Sequence, residues 1–314
     1  MAPTILIVGA TGNTGRSVVE TLPNLLKNNP SLAQHRILAL TRSKDSLAAQ
    51  KLAAVPGVEV AEQHWNEITA EWFREHEVER VFIAAHTGAS AFAEEGQFYI
   101  EAKRAGVKYV VRISTTAANV KPDCPVYYPR THWAIEQMLS QPGFEGLHWS
   151  SLQPNVFFSF VLRPAVELIK QHRQTGKHGH LSLMLDADTP TGVIDAWDVG
   201  IVAAHLLAAD DTSQHNRARY VLNGPEDLTG SQVVHMVEEQ IGAKIEDVRF
   251  KDLSFIDQWA DSLKDGSKNL IRTIKSAQAS AWSGEATAST TSKEIFALAP
   301  PKGTAKQALE QLLQ

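Results

Sequence analysis

Short apolar runs alternate with stretches of helical spacing through the first half of the chain. Runs of five or six residues, typical of buried strands, cover Thr4–Val8, Arg36–Thr41, Arg80–Ala85 and Tyr109–Ser114. Apolar and polar residues alternate over a further strand candidate, Val58–Gln63, and Trp149–Leu152 is the start of a sixth strand. Helical spacing follows over Gly12–Leu26, Ser46–Ala54, Gln97–Ala105 and Arg130–Ser140. Because parallel strands need a crossover connection, usually a helix, this alternation predicts a doubly wound parallel sheet of the α/β class.

The pattern changes after about Pro154. Two helices, a short strand, a third helix, a loop and a last helix are expected there, with Asp198 as the N-cap of the second helix. In chain order these are Phe157–Lys170, Asp198–Ala209, Tyr220–Leu222, Gly230–Gln240, Ser276–Ser292 and Thr304–Leu313. We predict a main domain over residues 1–153 and a smaller α+β lobe within residues 154–314, some segments of which return to the first sheet.

Composition and charge narrow the class of protein. The chain has 314 residues, of which 43% are hydrophobic and 21% charged, and its formal net charge is −5. This balance is ordinary for a globular protein and provides no basic surface for nucleic acid. The single cysteine, Cys124, excludes an internal disulfide and favours a reducing compartment. The first apolar run is too short for a signal peptide and no run is long enough for a membrane span, so a cytoplasmic protein is expected.

A glycine-rich turn, GATGNTG, follows the first strand. A strand, such a turn and a helix N-terminus form an anion site, because backbone N–H groups and the helix dipole face the same point. Gly9 permits the tight turn, Gly12 leaves room for a pyrophosphate, and Gly15 lets the helix pack closely on the sheet. The spacing also fits a turn in a flavodoxin-like fold that binds no dinucleotide. We expect a dinucleotide, held by Gly9, Thr11, Gly12, Asn13, Thr14 and Gly15.

The end of the second strand bears on the choice of dinucleotide. An acidic residue there binds the ribose 2′-hydroxyl of NAD, whereas a cation accommodates the 2′-phosphate of NADP. Here the strand ends in Thr41, Arg42 and Ser43, and Lys44 follows. Arginine can donate two parallel N–H bonds to a phosphate, and a hydroxyl can add another. These residues predict NADP, unless they form only a solvated turn.

Several stretches resemble the NmrA-like family of atypical short-chain dehydrogenases. They are GATGNTG with the strand that ends at Arg42, AKRAGVKYVVRIS, RTHWAIEQML, SLQPNVFF, VIDAWDVGIVAAHLL and YVLNGPEDLTGSQVV. The resemblance implies an NADP-binding Rossmann domain with a small variable C-terminal lobe. Family members include quinone and triphenylmethane-dye reductases, fungal oxidoreductases of secondary metabolism, and redox-sensing regulators without known turnover. The chain departs from the family at Gln63 and His64, where Gly-Asp is usual, and at Gln153, where arginine is usual.

Ordinary short-chain dehydrogenases carry out proton transfer with a Tyr-x-x-x-Lys motif. Here Tyr128 is followed at the same spacing by His132, and the two share a helix face if that turn is helical. His132 can bind the nicotinamide ribose, relay a proton or only anchor the helix. Tyr128 can protonate the acceptor oxygen or only line the pocket. We take Tyr128 and His132 as catalytic candidates, and His132 also as a cofactor contact. We expect Tyr128 to keep a near-normal pKa.

Three further positions lie at or just after the ends of predicted strands, at the edge where open α/β sheets bind ligands. We expect His86, Ser114 and Asn155 to contact the cofactor, although each also fits an ordinary role in a loop, a strand end or the lobe junction. The histidines of the polar stretch KQHRQTGKHGHLS lack carboxylates at ligand spacing, so no metal is expected.

These features predict an NADPH-dependent oxidoreductase that acts on a conjugated carbonyl compound, a quinone or an aromatic polyketide, in secondary metabolism if the chain is fungal. Aromatic side chains around residues 127–133 and 157–160 suit a flat ligand, although such residues also form cores. The alternative is a regulatory protein that senses NADP, binds a protein partner and has no turnover. Under either function the chain can form a homodimer.

Overall fold

The computed structural model describes residues 2–314, and its centre is a parallel sheet. The strands are β1 Thr4–Val8, β2 Arg36–Thr41, β3 Val58–Glu62, β4 Val78–Ile83, β5 Tyr109–Ile113, β6 His148–Pro154, β7 Val156–Phe157, β8 Leu181–Ser182, β9 Thr191–Ile194, β10 Ala218–Leu222, β11 Asp227–Leu228 and β12 Val248–Arg249. Within the described residues, seven strands form the main sheet in the order β10-β6-β5-β4-β1-β2-β3. Every neighbouring pair in it is parallel, which confirms the predicted doubly wound Rossmann fold.

Helices connect the strands and cover the sheet. They are α1 Asn13–Lys27, α2 Leu47–Ala53, α3 Ala70–Glu75, α4 Ala91–Ala105, α5 Tyr127–Leu139, α6 Phe158–Val161, α7 Arg163–Thr175, α8 Ala196–Leu207, α9 Gly230–Ile241, α10 Ser254–Ser262, α11 Lys268–Arg272, α12 Ala279–Trp282, α13 Lys293–Leu298 and α14 Ala305–Leu313. No helix in residues 2–314 is long and apolar enough to cross a membrane.

Both faces of the main sheet are buried. Successive residues of β1 alternate between them: Ile5 and Ile7 belong to a core that includes residues of α1 and α8, whereas Leu6 and Val8 belong to one that includes residues of α4 and α5. All four side chains are at most 1% exposed. A strand buried on two sides is apolar throughout rather than alternating, which is why the sequence runs ILIV there.

Helix α8 packs directly against α1, the helix that follows the glycine-rich turn. The two approach closely at Gly200, where a Cβ would lie 2.4 Å from the carbonyl oxygen of Thr14. The Ser17 hydroxyl donates a hydrogen bond of 2.6 Å to the carbonyl of Trp197. Arg80, at the start of β4, donates to the carbonyls of Leu207 and Ala209 at the C-terminal end of α8. These contacts fix the orientation of α1 under the turn.

The smaller lobe has a core of its own. It consists of the sheet β11-β9-β7, the pair β12-β8, and apolar residues of α6, α7, α9 and α14. One segment beyond residue 154 joins the main sheet, because β10 pairs in parallel with β6 at the sheet edge. The division of the chain at residues 153 and 154 stays a prediction.

The predicted N-cap of α8 is wrong. The cap is Asp195, whose side chain accepts a hydrogen bond from the backbone N–H of Trp197, and the helix begins at Ala196. Asp198 is buried instead, and its Oδ2 accepts the N–H groups of Lys302 and Gly303 at 2.8 Å. Both aspartates fit the local cap pattern, and only the tertiary contact with residues 302–303 separates them.

Two other element predictions need correction. The single helix expected over Phe157–Lys170 is two helices, α6 and α7, because Pro164 lacks the N–H that an interior position needs and occupies the first turn of α7. The stretch Ser276–Ser292 is not an open loop: it contains short helical turns, including α12, and Ser280 and Ala281 are buried. Small residues permit close packing as readily as they permit flexibility, so composition alone is ambiguous there.

Candidate functional site

The glycine-rich turn connects β1 to α1 at the carboxyl edge of the main sheet. Gly9 has a φ of 81°, a conformation that favours glycine, and a Cβ there would lie 3.0 Å from the Ala84 carbonyl oxygen. A Cβ on Gly15 would lie 2.2 Å from the carbonyl oxygen of Gly9. Gly9 therefore permits the turn and Gly15 permits the helix to start directly against it.

The N-terminal end of α1 is open. Gly12 occupies the N-cap position, no side chain caps the helix, and its first turn contains no acidic residue. Thr11 and Asn13 are exposed, whereas Thr14 is buried against α8. A Cβ on Gly12 would meet only the Gly9 carbonyl oxygen, at 3.2 Å, so nothing else in the chain crowds this position. An uncapped helix start with free space in front of it suits an anionic group.

The end of β2 lies beside this turn, because β1 and β2 are neighbours. Thr41 is buried, and its hydroxyl is used locally: it donates to the carbonyl of Ser43 and accepts the N–H of the same residue. Arg42 is exposed and has no hydrogen bond or ion pair in residues 2–314. The backbone N–H of Lys44 donates to Glu62 of β3. Arg42 therefore carries an unsatisfied positive charge next to the open turn.

Tyr128 and His132 both lie on α5, which begins earlier than predicted, at Tyr127. Their ring centroids are 6.5 Å apart in an edge-on arrangement. Tyr128 is half-buried, and burial raises its pKa to about 12 despite a hydrogen bond with the side chain of Thr115. The expectation of a near-normal pKa for Tyr128 is therefore wrong. A phenol with a higher pKa is a weaker proton donor at neutral pH.

His132 is buried, and its Nδ1 lies 2.8 Å from Nη2 of Arg112 in β5. Burial lowers the pKa of His132 well below its ordinary value, and the positive charge of Arg112 lowers it further. The imidazole is therefore neutral at physiological pH. This environment does not support a proton relay by His132, which was one of the roles that the sequence allowed. A neutral His132 can still donate a hydrogen bond.

Arg112 is at the centre of a buried polar network. Its guanidinium is fully buried, and its Nε donates to Glu95 of α4 at 2.9 Å while its Nη1 donates to Ser151 of β6 at 3.1 Å. Glu136 of α5 accepts from Ser151 and from Nε of Arg219, both at 2.6 Å. The network contains two positive and two negative side chains, so the buried charges are paired.

Sequence reasoning missed this network. One feature of the sequence indicated such a network: an arginine lies inside the apolar run YVVRIS, within a central strand. An arginine is almost never fully buried unless it is paired. Gln153, where the family usually has arginine, donates to Glu136 at 3.3 Å and so belongs to the same network.

Ser114 and Thr115 follow β5 at the same edge of the sheet. The Ser114 N–H donates to the carbonyl of Leu152, but its hydroxyl oxygen is fully buried and has no hydrogen-bond partner in residues 2–314. A buried hydroxyl without a partner is unusual in a folded protein. Together with the Thr115–Tyr128 hydrogen bond, it marks this strand end as polar and incompletely satisfied.

The polar groups of Asn155 and His86 are already occupied. The Asn155 amide donates to Asn223 and to the carbonyl of Ala286, and accepts from Thr116. The cavity it lines holds about 60 Å³, far less than the several hundred Å³ of a typical cofactor or substrate site. His86 accepts at Nδ1 from the Gly88 N–H and donates from Nε2 to Glu94 at 2.7 Å. Their assignment as cofactor contacts stays a prediction, and the structure gives it no direct support.

No metal centre is formed in residues 2–314, where no group of three or more potential ligand side chains could hold an ion. His172 and His178 are near each other, with ring centroids 5.5 Å apart, but have no acidic partner. The candidate site therefore consists of three parts along one sheet edge: the open turn, the free Arg42, and the end of β5 with the start of α5.

Comparison with known proteins supports this description of the fold. A structure of the NADPH-dependent quinone oxidoreductase of Escherichia coli complexed with NADPH is 21% identical, with a TM-score of 0.73, over 99% of this chain and 100% of that chain. The triphenylmethane reductase of Citrobacter sp. complexed with NADP(H) is 19% identical, with a TM-score of 0.68, over 99% and 100%. NmrA, a negative transcriptional regulator, in complex with NADP is 17% identical, with a TM-score of 0.63, over 99% and 91%.

A search of curated protein sequences finds no significant match. The model of the NmrA-like family matches residues 1–273, which is most of the chain. The protein therefore belongs to the NmrA-like family.

Proposed function

We propose that the protein is an NADPH-dependent reductase of quinones or similar conjugated carbonyl compounds. The observation that carries the proposal is the unsatisfied hydrogen-bonding capacity along one sheet edge. The first N–H groups of α1 and the Arg42 guanidinium both lack partners in residues 2–314. A ligand that carries anionic groups at both positions would satisfy them together.

The cofactor fits the residues that are present. The N-terminal end of α1 would hold the pyrophosphate, because Gly12 leaves its N–H groups uncovered. Arg42 would bind the ribose 2′-phosphate, since no acidic side chain neutralises its guanidinium. Solved relatives in complex with NADPH or NADP support the same choice. When bound, this cofactor supplies a hydride.

The residues around the reacting end favour a substrate that needs little help from an acid. Tyr128 is the candidate proton donor, and its raised pKa makes it a weak acid. His132 is held neutral by burial and by Arg112. A quinone or a comparable conjugated acceptor delocalises the negative charge that a hydride brings, whereas a simple ketone requires protonation of an alkoxide. The aromatic side chains of Tyr127, Tyr128 and Phe157 would offer flat surfaces to such a ligand.

The test is a turnover measurement with purified protein. NADPH absorbance is followed in the presence of a panel of quinones, a triphenylmethane dye and a simple ketone, with NADH as the matched cofactor control. Oxidation of NADPH that depends on quinone supports the proposal. Binding of NADPH without turnover on any acceptor would instead favour the regulatory alternative, to which the similarity to NmrA and the weak acidity of Tyr128 both point.

A further inference from the structure

The position that a lysine occupies in the Tyr-x-x-x-Lys motif is taken here by His132, and its immediate neighbour is a cation. Nη2 of Arg112 lies 2.8 Å from Nδ1 of His132. A guanidinium only donates hydrogen bonds, so Nδ1 must be the acceptor and must carry the lone pair. The proton of the neutral ring is then on Nε2.

Partners from three different elements hold the Arg112 guanidinium. Nε is bound to Glu95 and Nη1 to Ser151, and Nη1 also lies 3.7 Å from Glu136. Both carboxylates are at most 2% exposed, and they come from different helices, α4 and α5. Because Nε is bound to Glu95 and Nη1 to Ser151, a rotation of the guanidinium away from His132 would also break these contacts and leave a buried charge poorly paired.

The second ring nitrogen of His132 is in a different situation. Nε2 has no hydrogen-bond partner in residues 2–314, and it is not among the fully buried unpaired atoms of the chain. A small part of Nε2 is therefore exposed, and the Tyr128 ring faces the imidazole edge-on from the same helix face. The charged and titratable groups around the imidazole are Arg112 from β5 and Tyr128 from α5, and Glu95 and Glu136 contact it only through Arg112.

We propose that Arg112 is a positioning residue that fixes His132 as the neutral Nε2–H tautomer, so that His132 presents one hydrogen-bond donor to the cofactor ribose. The inference rests on the proposed function for the identity of the ligand, but not for the tautomer. In this arrangement His132 donates a hydrogen bond to the ribose, as the lysine of the Tyr-x-x-x-Lys motif does, but it does not supply the positive charge of that lysine. The burial of Arg112, Glu95 and Glu136 then serves the site as well as the core.

The tautomer is measured directly by ¹⁵N NMR of histidine-labelled protein without cofactor, over about pH 5.5 to 8.5. The His132 signal is assigned from its loss in His132→Gln. We expect a single Nε2–H tautomer that does not titrate in this range. An Nδ1–H tautomer, a mixture, or a titration near pH 6.5 would overturn the proposal whether or not the protein binds NADPH.

The role of Arg112 is tested with a charge-balanced pair of substitutions. Arg112→Gln combined with Glu95→Gln removes one charge of each sign, and glutamine can either donate to Nδ1 or accept from it. We expect the double variant to show both tautomers and to bind NADPH about three- to tenfold more weakly. The single variant Glu95→Gln retains Arg112 and should keep the pure Nε2–H form. A folded double variant with an unchanged tautomer and unchanged affinity would mean that Arg112 has only a structural role.

A second pair of variants keeps the inference testable if the double variant does not fold. The amide nitrogen of glutamine can reach the position of Nε2, whereas that of asparagine reaches only the position of Nδ1. We therefore expect His132→Gln to bind NADPH within about threefold of the wild type, and His132→Asn to bind about tenfold more weakly. Equal losses in both would contradict the donor role of Nε2. If the wild type itself does not bind NADPH, the proposed function fails while the tautomer measurement stands.

Discussion

Replacement of Arg42 by alanine should change the choice of cofactor without changing the fold. The side chain is exposed and has no ion pair or hydrogen bond in residues 2–314, so its loss should alter the free energy of unfolding by less than about 0.5 kcal/mol. In the complex the guanidinium would donate charged hydrogen bonds to the 2′-phosphate, which are worth about 1.5–3 kcal/mol. The dissociation constant for NADPH should therefore rise about 10- to 150-fold.

Isothermal titration calorimetry with NADPH and NADH measures both sides of this prediction. NADH lacks the phosphate, so its affinity for Arg42→Ala should stay within about twofold of the wild type. Lys44→Ala is the matched control, because it removes the neighbouring exposed cation and should cost NADPH less than about threefold. An equal loss for both cofactors in Arg42→Ala, or a larger NADPH loss in Lys44→Ala, would refute the assignment of Arg42 to the phosphate.

Three further predictions concern the turn, the phenol and the buried histidine. Gly12→Val should keep the fold, since Gly12 has a φ of −80°, but should abolish NADPH binding. If circular dichroism shows a folded variant that still binds NADPH normally, the glycine-rich turn is not a cofactor site. Tyr128→Phe should slow quinone turnover less than about tenfold and ketone turnover about a hundredfold, and a large loss on quinones would contradict the weak-acid role of Tyr128. His132 has a folded-state pKa below its ordinary 6.5, so the unfolded chain binds more protons and stability should fall as the pH drops below about 6.5. In denaturant titrations His132→Gln should remove up to about 1.4 kcal/mol per pH unit of that slope, and an unchanged slope would mean that His132 titrates normally.

Much of the sheet could be predicted from local sequence, because strands buried on both faces must be apolar. The predicted bounds of Thr4–Val8 and Arg36–Thr41 match β1 and β2. The need for glycine in the first turn could also be predicted from the sequence, since Gly9 and Gly15 occupy positions where a side chain does not fit. These are features that short segments determine by themselves.

The wrong or missed predictions concern features that depend on contacts between segments far apart in the sequence. Asp195 and Asp198 are equivalent as caps until the N–H groups of residues 302 and 303 bind one of them. The pKa of Tyr128 depends on its burial at the start of α5, a property that its neighbours in sequence do not specify. The role of Arg112 depends on two carboxylates from separate helices, so its position in an apolar strand signals that partners exist but not which ones.

The most direct test of the central claim is the initial rate of NADPH oxidation by the purified wild-type protein with a benzoquinone or naphthoquinone acceptor. The reaction is followed by absorbance, and the same measurement is made with Arg42→Ala. The account predicts quinone-dependent turnover in the wild type, with NADPH preferred to NADH, and a rise in the KM for NADPH in Arg42→Ala with little change in kcat. Tight NADPH binding without turnover on any quinone would contradict the claim that the protein is a reductase.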